Sequence, residues 1–136
     1  MNRDRHSLSK DQRRSLENIG VVLCYLHGSV EKGDARADSD VDVAVLFDRA
    51  PEDSVKATAD VIAAIQGFEP DRERDVAILN EAGPLLKQAV ASCGKILYAR
   101  SEADSLGFQL RAMHEYEYSR HVVRLGQELA LKRAHV

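Results

Sequence analysis

Four apolar stretches of the chain have the length and composition of β-strands. They cover residues 21–26, 41–47, 74–79 and 95–99, and each is bounded by glycine or polar residues. Short runs rich in valine, isoleucine and leucine between such boundary residues are typical of buried strands. The pattern therefore predicts a small β-sheet.

Stretches of mixed polar and apolar residues outside these strands predict helices. The capping-box pattern Ser9-x-x-Gln12 opens a first helix, which should stop near Gly20. Pro51 at a first helical position begins a second helix, and Gly67 ends it. The apolar stripe of this second helix is predicted to consist of Val55, Ala59, Ile62 and Ile65.

Two further helices follow the third and fourth strands. Pro84 opens one that runs through Leu86, Val90 and Cys93. The last begins at Ser101 and is long, or is broken once at Gly126, with apolar positions Leu106, Leu110, Met113, Val122, Leu125 and Leu129. It could pack on the sheet with a solvated outer face, or part of it could dock a protein partner. The order of elements predicts an α/β fold with a small mixed sheet, helices packed against at least one of its faces, and a long C-terminal helix.

Two aspartates open the second strand. Side chains alternate along a strand, so Asp40 and Asp42 share one face while Val41, Val43, Val45 and Phe47 fill the other. Gly28-Ser29 closes the first strand, and ten residues separate it from Asp40. Adjacent carboxylates repel each other, and Mg²⁺, which binds one or two carboxylates together with substrate phosphates, removes that repulsion. The pattern indicates a site for a metal-bound triphosphate.

Asp75 is the candidate for a third carboxylate. It opens the strand 74–79, which could pair beside the Asp-x-Asp strand, and its side chain could then face the same metal ions. Two-metal phosphoryl chemistry needs about three bridging carboxylates. The alternative is a solvated aspartate within the charged run 71–75.

Three other polar residues near the Gly-Ser turn have two interpretations each. His27 could take part in catalysis, but a lone histidine at a strand end is more often structural, and we assign it that role. Lys32 and Arg36 could neutralise phosphate charge in the connection, or they could be solvated loop residues.

Composition limits the classes of function. The 136 residues, 44% of them hydrophobic, suffice for one core, and we expect a single domain over residues 1–136. A net charge of −3 gives no long-range attraction to nucleic acid. No stretch suggests a signal peptide or a membrane span, and Cys24 and Cys93 resemble buried thiols, so we expect a cytoplasmic protein.

The sequence over residues 26–45 resembles the signature of the DNA polymerase beta superfamily of nucleotidyltransferases. The short chain is similar to the minimal nucleotidyltransferase (MNT) family, which includes MntA-type antitoxins that act beside a HEPN-domain toxin. One departure is His27, where an aromatic such as Phe is common. The resemblance implies that two Mg²⁺ ions bind Asp40, Asp42 and Asp75. It also implies that Ser29 helps to hold the nucleotide triphosphate. We expect Gly28, Lys32, Arg36 and Ser39 to belong to the same ATP site.

The resemblance further implies an antitoxin that transfers AMP from ATP to a tyrosine hydroxyl of a cognate HEPN RNase toxin, in a hetero-oligomer with that toxin. Two alternatives stay open. One is a small-molecule nucleotidyltransferase of the aminoglycoside-modifying kind, although such enzymes usually carry a substantial acceptor domain. The other is an antitoxin that neutralises by contact alone, although such a protein would not need to keep repelling carboxylates together.

Overall fold

The computed structural model describes residues 7–28 and 40–134. Its eight helices and strands follow one another in the order α1 (Lys10–Asn18), β1 (Val21–His27), β2 (Val41–Phe47), α2 (Ser54–Ala64), β3 (Arg74–Ile78), α3 (Pro84–Cys93), β4 (Lys95–Ala99) and α4 (Glu102–Ala134). The predicted α/β class, the four strands and the long C-terminal helix are therefore confirmed.

The four strands form one sheet in the order β3-β2-β1-β4. Strand β1 is antiparallel to both β2 and β4, whereas β2 and β3 are parallel. The sheet is mixed, as predicted, because α2 carries the chain back so that β3 starts at the same end as β2. The starts of β2 and β3 and the end of β1 consequently meet at one end of the sheet.

Helices cover both faces of the sheet. On the α1–α2 face, alternate residues of β2 (Val41, Val43 and Val45) are fully buried with Cys24 and Leu26 of β1. The α3–α4 face is smaller, and Tyr25 packs there against Phe108 with ring centroids 5.7 Å apart. Burying these apolar side chains stabilises the fold by about 1.5–3 kcal/mol for each large residue.

The first helix begins as the sequence predicts. The Ser9 hydroxyl accepts a hydrogen bond from the backbone of Gln12, and the Gln12 side chain accepts one from the backbone N–H of Ser9. This capping box satisfies two backbone donors that a helix start would otherwise leave unpaired. A turn with Gly20 at φ +88° then leads directly into β1.

The second helix differs from its prediction. It begins at Ser54 because the Asp53 side chain accepts the N–H of Lys56 at 3.0 Å, so Pro51 lies outside it, and it ends at Ala64, three residues before Gly67. The predicted stripe is also wrong at three of four positions: Val55, Ala59 and Ile62 are exposed, and only Ile65 is buried. The residues that face the sheet are Ala57, Val61, Ile65 and, beyond the helix, Phe68.

The two cysteines have different environments. Cys24 is fully buried, and burial raises the pKa of its thiol to about 12. Cys93, at the end of α3, is exposed. The expectation that both thiols are buried is therefore wrong for Cys93, because the apolar side of α3 that reaches the core is centred on Val90.

Helix α4 is continuous through Gly126, and only its first half packs on the rest of the chain. Phe108 and Ala112 are its buried residues, and every residue from 120 to 134 is exposed. The expectation that this helix packs on the sheet is thus right for its first half alone. We call residues 118–134 the distal segment.

Within residues 7–28 and 40–134, no helix combines the length and the apolarity that crossing a bilayer requires.

Candidate active site

Asp42 and Asp75 lie side by side on neighbouring strands. In the parallel pairing of β2 with β3, Asp42 is the register partner of Asp75. A hydrogen bond from the N–H of Val41 to the carbonyl of Glu73, at 2.8 Å, fixes this register at the start of both strands. Asp42 is half-buried and Asp75 is exposed. The predicted pairing of these strands is confirmed, and it places two carboxylates at one end of the sheet.

Strand alternation decides which face these acids occupy. Asp42 alternates with the fully buried Val41 and Val43, which fill the α1–α2 face. Its side chain therefore belongs to the α3–α4 face, as does that of its register partner Asp75. Asp40 stands just before β2 and is exposed. All three acids are accessible to a ligand at this end of the sheet.

Gly28 lies directly beside Asp42. Its φ is +85°, and a Cβ placed on it would lie 2.6 Å from Oδ2 of Asp42. A conformation with positive φ costs most residues about 1 kcal/mol or more, and this strain favours glycine at residue 28. A side chain at this position would also require the Asp42 carboxylate to shift, so the end of β1 lies directly beside the candidate metal ligand.

His27 lies closer to the acids than the sequence indicated. It ends β1, is half-buried and is the antiparallel register partner of Asp42. The signal that could have revealed this was the hairpin-like order of β1 and β2, which brings the end of the first strand against the start of the second. No feature of the described residues gives His27 a catalytic part, and its assignment as a structural residue stays a prediction.

Four of the predicted nucleotide-binding residues, Ser29, Lys32, Arg36 and Ser39, lie outside the described residues. Their roles stay predictions from the sequence. Of that predicted set, Gly28 alone belongs to the part of the chain that the structure describes.

The donor atoms at this end of the sheet suit a hard divalent cation. They are carboxylate oxygens, which Mg²⁺ prefers. In the described part of the chain, no three His, Cys, Asp or Glu side chains converge on a point where they could hold a metal ion. Mg²⁺ commonly takes only one or two protein carboxylates and completes its shell with water and substrate phosphate, so the pair Asp42 and Asp75, with Asp40 beside them, fits such an ion.

The neighbouring arginine does not neutralise this acidic group. Arg74 precedes Asp75, but its guanidinium donates through Nε and Nη2 to the carbonyl of Phe68, with the Nε bond at 2.9 Å. Successive residues of a strand point to opposite faces, so Arg74 is directed away from the acids. The Arg74 guanidinium is therefore not an ion-pair partner of Asp42 or Asp75.

The opposite end of the sheet carries a different polar cluster. A cleft of about 280 Å³ there is lined by residues that include Asp48, Asn80, Arg100, Asp104 and Arg111. Arg100 binds Asp104 at 2.8 Å and Asp48 at 3.4 Å. The hydrogen bond from Arg100, followed by one from Ser101, holds the pKa of Asp104 below its ordinary value. Because Arg100 is already paired with two acids, this cleft does not offer it to phosphate.

Comparison with known families assigns the chain. Residues 13–103 match the family described as Polymerase beta, Nucleotidyltransferase. The chain belongs to this family. The matched region contains β1 to β4 and all three candidate carboxylates, and it ends just after the start of α4.

Solved structures share the fold of this nucleotidyltransferase at low sequence identity. A toxin–antitoxin crystal structure with AMP-PNP has a chain that is 20% identical, with a TM-score of 0.65; the match covers 94% of this chain and 100% of that one. A second match belongs to the Shewanella oneidensis complex of a tri-AMPylated HEPN toxin with an MNT antitoxin. It has 20% identity and a TM-score of 0.58, and it covers 90% of this chain and 92% of that one.

A third match belongs to a MntA–HepT toxin–antitoxin structure. That chain is 18% identical with a TM-score of 0.57, over 94% of this chain and 100% of that one. A comparison with curated protein sequences found no significant match.

Proposed function

We propose that this nucleotidyltransferase is an antitoxin that transfers AMP from ATP to a tyrosine hydroxyl of a cognate HEPN RNase toxin. The observation that carries the proposal is the register pairing of Asp42 with Asp75 beside Gly28, because it brings acids from two strands to one accessible end of the sheet. The structures that share this fold support a HEPN toxin as the acceptor of AMP, because one of them is an MNT antitoxin in complex with a tri-AMPylated HEPN toxin.

The nucleotide half of the reaction uses three acids of this chain. Asp40, Asp42 and Asp75 would hold two Mg²⁺ ions, which supply charge neutralisation for the attacking and leaving oxygens. Ser29, with Lys32, Arg36 and Ser39, would bind the triphosphate. Gly28 would let the backbone approach the phosphates, since it carries no side chain beside Asp42.

The proposed transfer is a substitution at the α-phosphorus of ATP. A bond forms between the acceptor hydroxyl oxygen and the α-phosphorus, while the bond from the α-phosphorus to the oxygen that bridges it to the β-phosphorus breaks. Pyrophosphate leaves with that oxygen, and Asp75 would accept the hydroxyl proton. Asp75 suits this role because it is the more exposed of the two paired acids and can reach an acceptor that arrives from solvent.

Intact-mass spectrometry of the partner tests the proposal. Mixing this protein with its cognate HEPN toxin, ATP and Mg²⁺ should add about 329 Da per AMP to the toxin, and a chelator should prevent the addition. Asp75→Asn should abolish the increment. Asp71→Asn, a control at an exposed acid four residues earlier in the same charged run, should retain it.

The same experiment separates the alternatives. Neutralisation of the partner without ATP and without a change in its mass would establish an antitoxin that acts by contact. AMP transfer to an aminoglycoside, with an unmodified partner, would establish a small-molecule enzyme. Either result contradicts the proposal.

A further inference from the structure

The distal segment projects from the rest of the chain as a bare helix. Helix α4 has 33 residues and is about 50 Å long at 1.5 Å per residue, whereas the longest strands have seven residues and span about 23 Å. Its packed half holds Phe108 and Ala112, and every residue from 120 to 134 is exposed. About 20 Å of helix therefore extends without cover from the fold.

An apolar stripe follows the distal segment. It consists of Tyr118, Val122, Leu125 and Leu129, which are 71%, 47%, 45% and 59% exposed. The spacings of four, three and four residues place these side chains on one side of the helix. This is the spacing with which an amphipathic helix inserts into a groove between other helices.

The charge of the distal segment favours an acidic partner over a second copy. Four cationic side chains (Arg120, Arg124, Lys132 and Arg133) and one carboxylate (Glu128) give it a net charge of +3, although the whole chain carries −3. On a helical projection, Lys132 and Arg133 flank the stripe at its end. Two such segments packed in parallel would place Lys132 and Arg133 of one beside the same residues of the other, whereas a groove with an acidic rim would pair with them.

The segment also lies outside the family's catalytic region. The family match stops at residue 103, before nearly all of α4. The toxin–antitoxin chain solved with AMP-PNP nevertheless covers 94% of this chain, so the uncovered part is only about eight residues. The shared fold therefore includes most of α4, a helix that the nucleotidyltransferase family as a whole does not require.

From these observations we infer that the distal segment docks the toxin, with the stripe buried in an apolar groove between toxin helices and the groove's acidic rim paired with Lys132 and Arg133. The inference rests on the proposed function, which supplies a toxin as partner. Arg111 and Ala112 of helix α4 line a small cavity together with Leu46 and Leu79, which lie at the end of the sheet opposite Asp42 and Asp75.

The test compares two pairs of substitutions on the same helix. Leu125→Glu with Leu129→Glu places two carboxylates in the stripe. Leu106→Glu with Leu110→Glu is the matched control, because these leucines are 57% and 48% exposed on a different side of α4. Circular dichroism should show that both variants fold, since all four side chains are already in contact with water.

Affinity for the purified cognate HEPN toxin is measured by calorimetry without ATP. The stripe variant should bind about 100-fold or more weakly, as for the loss of central interface residues, and the control should stay within about threefold of wild type. Asp75→Asn should bind the partner as wild type does. Equal affinity of the stripe variant and wild type would overturn the inference.

Further outcomes separate the inference from the function on which it rests. If the wild-type protein adenylylates the partner and the stripe variant still binds normally, docking on the distal segment is refuted and the proposed function stands. If the wild-type protein neither binds nor modifies the partner, both the inference and the proposed function fail.

Sedimentation of the protein alone tests whether a second copy occupies the distal segment. Docking of the toxin would be refuted if the wild-type protein forms a dimer, the stripe variant is a monomer, and both bind the partner equally. Pelleting with anionic vesicles tests a lipid surface. Docking of the toxin would also be refuted if the wild-type protein pellets with the vesicles, the stripe variant does not, and both bind the partner equally.

Discussion

Gly28 and Asp42 are in such close contact that the carboxylate occupies the space where a side chain on residue 28 would begin. An added Cβ would approach Oδ2 of Asp42 to 2.6 Å. The Asp42 carboxylate would therefore have to move to admit a side chain on residue 28. Changes at residue 28 should therefore affect chemistry and not only stability.

Substitution of two glycines separates these effects. Gly28 and Gly20 have nearly the same φ, +85° and +88°, but a Cβ at Gly20 meets nothing within 4 Å. Gly28→Ala and Gly20→Ala should each lower the free energy of unfolding by about 1–2 kcal/mol through backbone strain. Gly28→Ala alone should also reduce AMP transfer, by at least about tenfold. Urea denaturation and the partner's intact mass give the two readouts, and equal transfer by both variants would contradict a role for the contact.

Neutralising the acids of the second strand should separate activity from folding. Asp40→Asn together with Asp42→Asn should abolish nucleotide transfer, while the melting temperature stays equal or rises slightly, because the substitutions remove charge repulsion from an acidic end of the sheet. Differential scanning calorimetry without metal and intact mass with ATP and Mg²⁺ measure the two effects. Transfer above a few per cent of the wild-type level would exclude these residues as metal ligands.

Asn80 should contribute to stability and not to catalysis. Its side chain accepts the N–H of Phe47 at 2.9 Å and donates to the carbonyl of Phe47 at 3.0 Å, so it satisfies the backbone at the end of β2. Asn80→Ala should lower the free energy of unfolding by about 1–3 kcal/mol, because both backbone groups lose a partner in a partly buried place. Asn18→Ala, at an exposed asparagine, should change it by less than about 0.5 kcal/mol in the same urea titration.

The ion pair of Arg100 with Asp104 predicts a dependence of stability on pH. The pKa of Asp104 is lowered in the folded state, first by the hydrogen bond from Arg100. A carboxyl group whose pKa is lowered by folding contributes its full stabilisation at pH values above the ordinary aspartate pKa. This contribution is lost as the pH falls through the lowered pKa of the folded state. Asp104→Asn should therefore have a lower melting temperature than wild type at neutral pH, and the difference should close in strong acid.

The sequence predicted the sheet well because strand patterns depend on local alternation. The bounds of β2 match those predicted, and the predicted pairing of β3 beside β2 is confirmed, whereas the register that makes Asp42 the partner of Asp75 was not predicted. The face of the sheet on which Asp42 lies was predictable as well. Side chains along a strand alternate between two faces, and the valines of β2 occupy one of them.

Helix orientation was harder to predict because two stripes of α2 fit the helical period. One stripe contains Val55, Ala59 and Ile62, and the other contains Ala57 and Val61. Contacts with the sheet select the second, and no local pattern encodes that choice. In α4, the leucines near the start of the helix and those of the distal segment are all exposed, and they lie on different sides of the helix. The apolar positions in the sequence therefore could not show at which residue the helix stops packing on the sheet.

The bare distal segment has a consequence for the order in which this protein gains structure. A helix of about 15 residues without tertiary contacts is only marginally stable in water, and Gly126 in its middle weakens it by a further ~1 kcal/mol relative to alanine. Its backbone amides should exchange with deuterated solvent far faster than those of β1 and β2, which lie inside the sheet. A partner that seats this helix must therefore supply the free energy that completes its folding. Part of the interface would then form only as the two proteins meet, and the segment would become protected from exchange at that moment.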